Sequence, residues 1–209
     1  MDYMIYALFI SIFVPLLLMV LLVEKKARLP IIFFMAGIFI SVFVSEINGM
    51  LLKEINLPMS EFTLIVTPVT EEIIKAFPIL FYAVVISDKR ETLFTISMAT
   101  GIGFAVLENA YVLMQHMDSF SVLSAVIRGF GTGLMHGMCT LLVGIGISFI
   151  KRRKKIFASG TFALLSLAIT YHAIFNMLIQ SEYKMVGALF PVATYVPFLV
   201  KRNLERAKL

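Results

Sequence analysis

The chain has 209 residues, of which 60% are hydrophobic and 15% charged, with a mean hydropathy of +0.95 and a formal charge of +5. A soluble domain carries about 25% charged residues and is less than about half apolar, so a water-soluble globule is excluded, as is a disordered chain. The single Cys139 excludes a disulfide scaffold.

Seven apolar runs approach the length that spans a bilayer, about 20 residues each: 3–23, 31–52, 63–86, 92–114, 122–150, 156–179 and 185–200. The last is short and holds Pro191 and Pro197. The first is no cleaved signal peptide, since its positive charges follow the apolar run and no small-x-small site closes it. These runs predict an all-α, polytopic membrane bundle, a single domain over 1–209 with no internal repeat and no large hydrophilic part. Orientation follows from the basic residues. Lys25, Lys26 and Arg28, Lys89 and Arg90, the run 151–155, and Lys201, Arg202, Arg206 and Lys208 put fourteen of eighteen on one side. The other side has Lys53 and Lys184, and Lys75 and Arg128 fall inside spans. The bias predicts an N-terminus outside and a C-terminus in the cytoplasm of a cell-membrane protein. It also accounts for the positive charge without a nucleic-acid partner; the bilayer is the medium.

Ionisable groups inside spans are costly and mark function by default. Here they are Glu46, Glu71, Glu72, Lys75, Glu108, Arg128, His136 and His172. Glu71, Glu108 and His172 each lie six to eight residues below the outer end of a different span, and His136 lies eight residues in from Arg128, which is expected to reach the outer surface. At about 1.5 Å per residue, all four reach one layer roughly 9–12 Å beneath the outer face. Glu71 and Lys75 are i,i+4 and are expected to pair, as His172 and Asn176 share a face. Arg128 is expected to snorkel outwards. Pro68 and Pro78 bracket the glutamates, and Gly129, Gly133 and Gly137 form a small-xxx-small ridge on which another helix can pack. Glu46 and Asn48 read as structural or rim residues, and Cys139 as core.

Elimination narrows the chemistry. A Gly-x-Ser-Gly nucleophile is absent near the cluster. The only aspartates, Asp2, Asp88 and Asp118, fall outside the spans, so there is no intramembrane aspartyl pair. A His-Glu-x-x-His zinc motif is absent too. Adjacent glutamates beside a lysine remain. One can draw a proton from water as a general base, His172 and Asn176 can donate to a developing oxyanion, and Glu108 or His136 can hold the water. The same residues can instead bind Zn²⁺ with open positions. A proton- or cation-coupled transporter using the carboxylates as a relay, or a receptor with a polar pocket, are the competing readings. The position of the layer near one face disfavours a transporter, whose site usually lies at the midplane.

Four ordered motifs carry a resemblance: Thr70-Glu71-Glu72-Ile73-Ile74-Lys75, Gly101-Ile102-Gly103-Phe104-Ala105-Val106-Leu107-Glu108-Asn109-Ala110-Tyr111, His136, and His172-Ala173-Ile174-Phe175-Asn176. Over 70–176 the chain resembles the PrsW family of intramembrane proteases, which is distantly similar to the CAAX prenyl endopeptidases. Relative to the latter, Lys75 stands one position early for their Arg, and Glu108 stands where they have His; both fit PrsW. The resemblance implies a glutamic-type endopeptidase with Glu71 as base, Glu72 in support, and His172 with Asn176 at the oxyanion. It implies a single-pass membrane substrate, an anti-sigma factor cut near the outer face in the first step of a stress-signalling cascade. No metal is expected, because a fixed Lys75 ammonium one turn from Glu71 opposes a divalent ion. Were zinc bound, its ligands would be Glu71, Glu108, His136 and His172.

Overall fold

The computed structural model describes residues 3–115, 122–151 and 154–206. Asp2, Asp118, Arg152, Arg153 and Lys208, which enter the sequence reading, lie outside the described residues. Every element is a helix: α1 (Tyr3–Leu22), α2 (Lys25–Glu54), α3 (Met59–Ile65), α4 (Thr67–Val85), α5 (Arg90–Gln115), α6 (Val122–Ile147), α7 (Lys154–Gln180) and α8 (Lys184–Arg206). Among the described residues there is no strand, which is the expected class. Only a helix satisfies its own backbone groups within one segment, as hydrocarbon demands.

Among the described residues, five helices are long and apolar enough to cross a membrane: Tyr3–Leu22, Lys25–Glu54, Arg90–Gln115, Arg128–Ile147 and Phe157–Gln180. The expected seven are not reached by length and apolarity, for two physical reasons. The third expected run is broken in two. Pro68 has no N–H to give the carbonyl one turn back, so α3 ends at Ile65 and α4 starts at Thr67, with Pro68 in its first turn, where proline is tolerated. α4 then carries Glu71, Glu72 and Lys75 within 19 residues. α8 has an apolar stretch only over Lys184–Phe198, and it contains both prolines.

The bundle is built around α5, packed between α2 and α6, with α7, α8 and α4 gathered on α6 and α1 laid against α2 and α5. Its outer surface is apolar: Phe77, Phe81, Phe39, Phe130 and Phe162 are all more than half exposed, the surface of a protein solvated by lipid. Inside, the helices come unusually close. A Cβ on Gly37 would overlap the Thr100 carbonyl, one on Gly103 the Phe34 carbonyl, and one on Gly101 the His136 carbonyl. Those glycines set the α2–α5 and α5–α6 spacing. The expected Gly129-Gly133-Gly137 ridge does not act as a unit. Nothing described lies within 4 Å of a Cβ on Gly129 or Gly133, and only Gly137 meets a neighbour, the Met98 and Ile102 side chains.

Candidate active site

The expected layer forms. α4 brings Glu71, Glu72 and Lys75, α5 brings Glu108, α6 brings His136, and α7 brings His172. Glu71, Glu72, Lys75, His136 and His172 are all at most 5% exposed. The helix spacing set at Gly101 holds the α6 backbone at His136 hard against α5. One turn or two further along α5 are Phe104 and Glu108. The Phe104 ring lies 4.9 Å from the His136 ring and 4.7 Å from the Lys75 Nζ, so it forms the floor under both.

The polar groups connect into one chain. Arg128 Nη2 lies 4.0 Å from Glu108 Oε1, and Glu108 Oε2 is 2.6 Å from His136 Nε2. His136 Nδ1 is 2.8 Å from Lys75 Nζ, Lys75 Nζ is 2.7 Å from Glu72 Oε1, and Glu72 Oε1 is 2.8 Å from His172 Nδ1. Hydrogen positions follow from the partners. An ammonium only donates, so His136 Nδ1 accepts and its Nε2–H donates to Glu108. A carboxylate accepts, so His172 Nδ1–H donates to Glu72. Thus Lys75 pairs with Glu72 at i,i+3, not with Glu71 at i,i+4 as the sequence spacing suggested. Both separations are allowed on a helix; the two histidines, from other helices, decide between them.

Glu71 stands apart from this chain. Its Oε2 has no protein hydrogen-bond partner and lies 3.9 Å from both His136 Nδ1 and His172 Nε2. It faces two cavities. The larger, about 350 Å³, opens between α1, α2 and α3–α5, with Ser41, Ser45 and Asn48 on its wall; the smaller, about 200 Å³, lies against α6 and α7 with Arg128, Thr132, His172 and Asn176. Thr63, Thr67, Glu71 and Glu108 line both, so the carboxylates stand on the partition. Asn48 holds the near side of α4 by accepting from the Thr70 hydroxyl at 2.7 Å, and Glu46 accepts from Tyr6 at 2.7 Å, the structural roles expected of them. Cys139 is fully buried in the main apolar cluster, as expected.

Two expected placements differ. Asn176 lines the smaller cavity, but its amide donates to the Thr63 carbonyl at 3.0 Å, which ties α7 to α3. Arg128 does not snorkel away. It turns towards Glu108, its side chain 20% exposed, because the carboxylate offers a partner that lipid cannot. Thr132 was missed by sequence reasoning. The signal was there, because Arg128, Thr132 and His136 repeat at i,i+4 along α6 and so share a face.

The donor set suits a divalent cation. One ligand atom each from Glu71, Glu72, His136 and His172 lies within 4.8 Å of the others. Glu71 Oε2 and Glu72 Oε2 are both buried without a protein partner. The conditional ligand set changes: Glu72 belongs to the cluster, whereas Glu108 is placed behind His136 on its other ring nitrogen. His136 Nδ1 is taken by Lys75, which leaves Glu71, Glu72 and His172 with open lone pairs.

A buried Glu-Glu-Lys-His-His cluster inside an apolar bundle agrees with what comparison with known proteins finds. No curated protein and no solved structure matches the chain. A family model described as "PrsW family intramembrane metalloprotease" matches residues 25–201, from the first residue of α2 into the last helix. The match covers most of the chain, so this multi-pass membrane protein belongs to the PrsW family of intramembrane proteases.

Proposed function

We propose that the chain hydrolyses a peptide bond of a single-pass membrane protein, close to the outer face, with Glu71 as the general base. The observation that carries this is the free Oε2 of Glu71 on the partition between two cavities, while the other site groups hold one another. A substrate strand laid through both cavities passes the carboxylate. Glu71 takes a proton from water, the water oxygen bonds to the carbonyl carbon, and the C–N bond breaks as the same proton passes to the leaving nitrogen. Glu72 supports the site by fixing Lys75 and His172. A His172 that takes up a proton at Nε2 turns from acceptor to donor and faces the same cavity, the oxyanion role that the resemblance implies for it.

The glutamic, metal-free form of this reading rests on Lys75, whose ammonium already sits between Glu72 and His136. A zinc ion would be held by Glu71, Glu72 and His172. When bound, it supplies Lewis-acid polarisation of a carbonyl and a more acidic water.

The basic loops support an outer position for the cavities; the substrate we propose, as the resemblance implies, is an anti-sigma factor whose cut starts a signalling cascade. The decisive experiment is Glu71→Gln in purified protein, reconstituted with a single-pass substrate. Glutamine keeps the shape and cannot take the proton, so cleavage should fall by about 10²–10⁴. A wild-type rate in that variant removes Glu71 from the mechanism. Proton or cation flux in the same vesicles without cleavage would favour a transporter.

A further inference from the structure

Two residues on the same face of α6 line the smaller cavity, and each carries a buried donor without a protein partner. Thr132 is 2% exposed, and its Oγ1 has no protein hydrogen-bond partner. Thr161 Oγ1 is likewise buried without a partner but lines neither cavity, and three other buried or helical threonines do bond. Thr100 gives its hydroxyl to the Ile96 carbonyl at 2.9 Å, Thr140 to His136 at 2.9 Å and Thr170 to Ser166 at 2.8 Å, the usual i−4 bond of a helical threonine. One turn before Thr132, Arg128 Nε is likewise buried and has no protein partner, while Nη2 at the tip of the same guanidinium leans on Glu108. Both residues line the cavity of about 200 Å³ that Glu71 and His172 also line. Buried polar groups in native proteins are rarely left this way. Two unpartnered N–H and O–H donors, on residues that line a small cavity together with Glu71, suit an oxygen acceptor brought into that cavity. Of the groups first expected there, the Asn176 amide donates to the Thr63 carbonyl.

We infer that Arg128 and Thr132 bind the carbonyl oxygen of the scissile peptide bond and stabilise its oxyanion while Glu71 works from the opposite wall. This rests on the protease reading above. It adds two catalytic residues on α6 and assigns Asn176 to holding α3 against α7. The Arg128–Glu108 contact then has a purpose besides charge balance. It holds the guanidinium tip of a residue that lines the cavity.

The test is steady-state cleavage of a quenched-fluorescent peptide library by the purified full chain, comparing wild type, Glu71→Gln, Thr132→Val, Thr132→Ser and Arg128→Lys. Valine keeps the shape of threonine and loses the hydroxyl; lysine keeps the charge towards Glu108 and loses the Nε–H. Each should lower kcat by about 10²–10³ with KM nearly unchanged, the loss seen for one oxyanion donor, and Thr132→Ser should restore it. Thermal unfolding of each variant excludes a folding defect, and either variant alone decides. If Glu71→Gln is inactive while Thr132→Val and Arg128→Lys keep wild-type kcat, or only raise KM, the inference is overturned and the protease reading stands. If Glu71→Gln cuts like wild type, or wild type cuts nothing in the library, the protease reading fails and this inference with it.

Discussion

Replacing Lys75 by methionine removes the cation at the centre of the cluster and keeps an unbranched apolar stem to fill the space. The lysine is 0% exposed, with Nζ 2.7 Å from Glu72 Oε1 and 2.8 Å from His136 Nδ1. Each is a hydrogen bond to or from a charged group, contributing about 1.5–3 kcal/mol. Their loss together comes to about 3–6 kcal/mol, consistent with the roughly 3–5 kcal/mol that follows when one partner of a buried pair is removed. For a chain of this length about 1 kcal/mol moves the midpoint by roughly 2–4 °C, so Lys75→Met should unfold about 6–20 °C below wild type. The chain has no tryptophan but has one cysteine, Cys139, which is 0% exposed. A thiol-reactive fluorogenic dye therefore reports unfolding from a single buried site. The companion Lys75→Met/Glu72→Gln removes both charges, and it should regain at least about 1 kcal/mol over the single change. A Lys75→Met protein that melts with wild type, or a double variant that falls by the sum of both singles, would refute the ion pair as the clamp of the site.

Three further outcomes are expected. Gly101→Ala puts a methyl against the His136 carbonyl; overpacking should cost about 1–3 kcal/mol. The forced shift of α6, of order 1 Å, should lower cleavage by about 10²-fold, read from kcat in folded protein. Extended dialysis against a chelator should leave cleavage intact; a loss that zinc restores, with stoichiometric zinc by elemental analysis, makes Glu71, Glu72 and His172 ligands. A Cys139→Ser protein carrying Cys at Lys89 should react only with reagent supplied from the cytoplasmic side, and labelling from outside alone would invert the topology drawn from the basic loops.

Much of the site was legible because depth in a membrane is a one-dimensional count. Residues between each ionisable group and the end of its apolar run fixed a common layer for Glu71, Glu108, His136 and His172, and the four helices deliver them there. What the count cannot give is azimuth and partner choice. Whether Lys75 takes Glu71 or Glu72 is undecided by spacing on one helix and is settled by His136 and His172 from two others. The glycines misled for the same reason. Gly129-Gly133-Gly137 has the packing spacing, yet the close approaches fall at Gly37, Gly101 and Gly103, where a neighbouring backbone happens to pass. The break at Pro68 was visible only as a proline that brackets the glutamates inside one apolar run. Its position in the first turn of α4 makes it a boundary instead.

The order of the polar chain explains why Glu71 is the group left over. In a low-dielectric interior an unpaired charge is costly, so charges survive there by alternating with partners. From Arg128 through Glu108, His136, Lys75 and Glu72 to His172, each group meets a neighbour of complementary hydrogen-bonding character, and the two cations match two carboxylates. Adding a seventh group, Glu71, leaves one carboxyl more than the cations can pair. Removing it would give a balanced, inert core; retaining it leaves an unpartnered carboxylate oxygen on a residue that lines both cavities. Stability alone would favour an apolar residue at that position. A carboxyl kept there against that preference, on the partition that a substrate strand must pass, is the feature that a structural role for the cluster does not explain and general-base catalysis does.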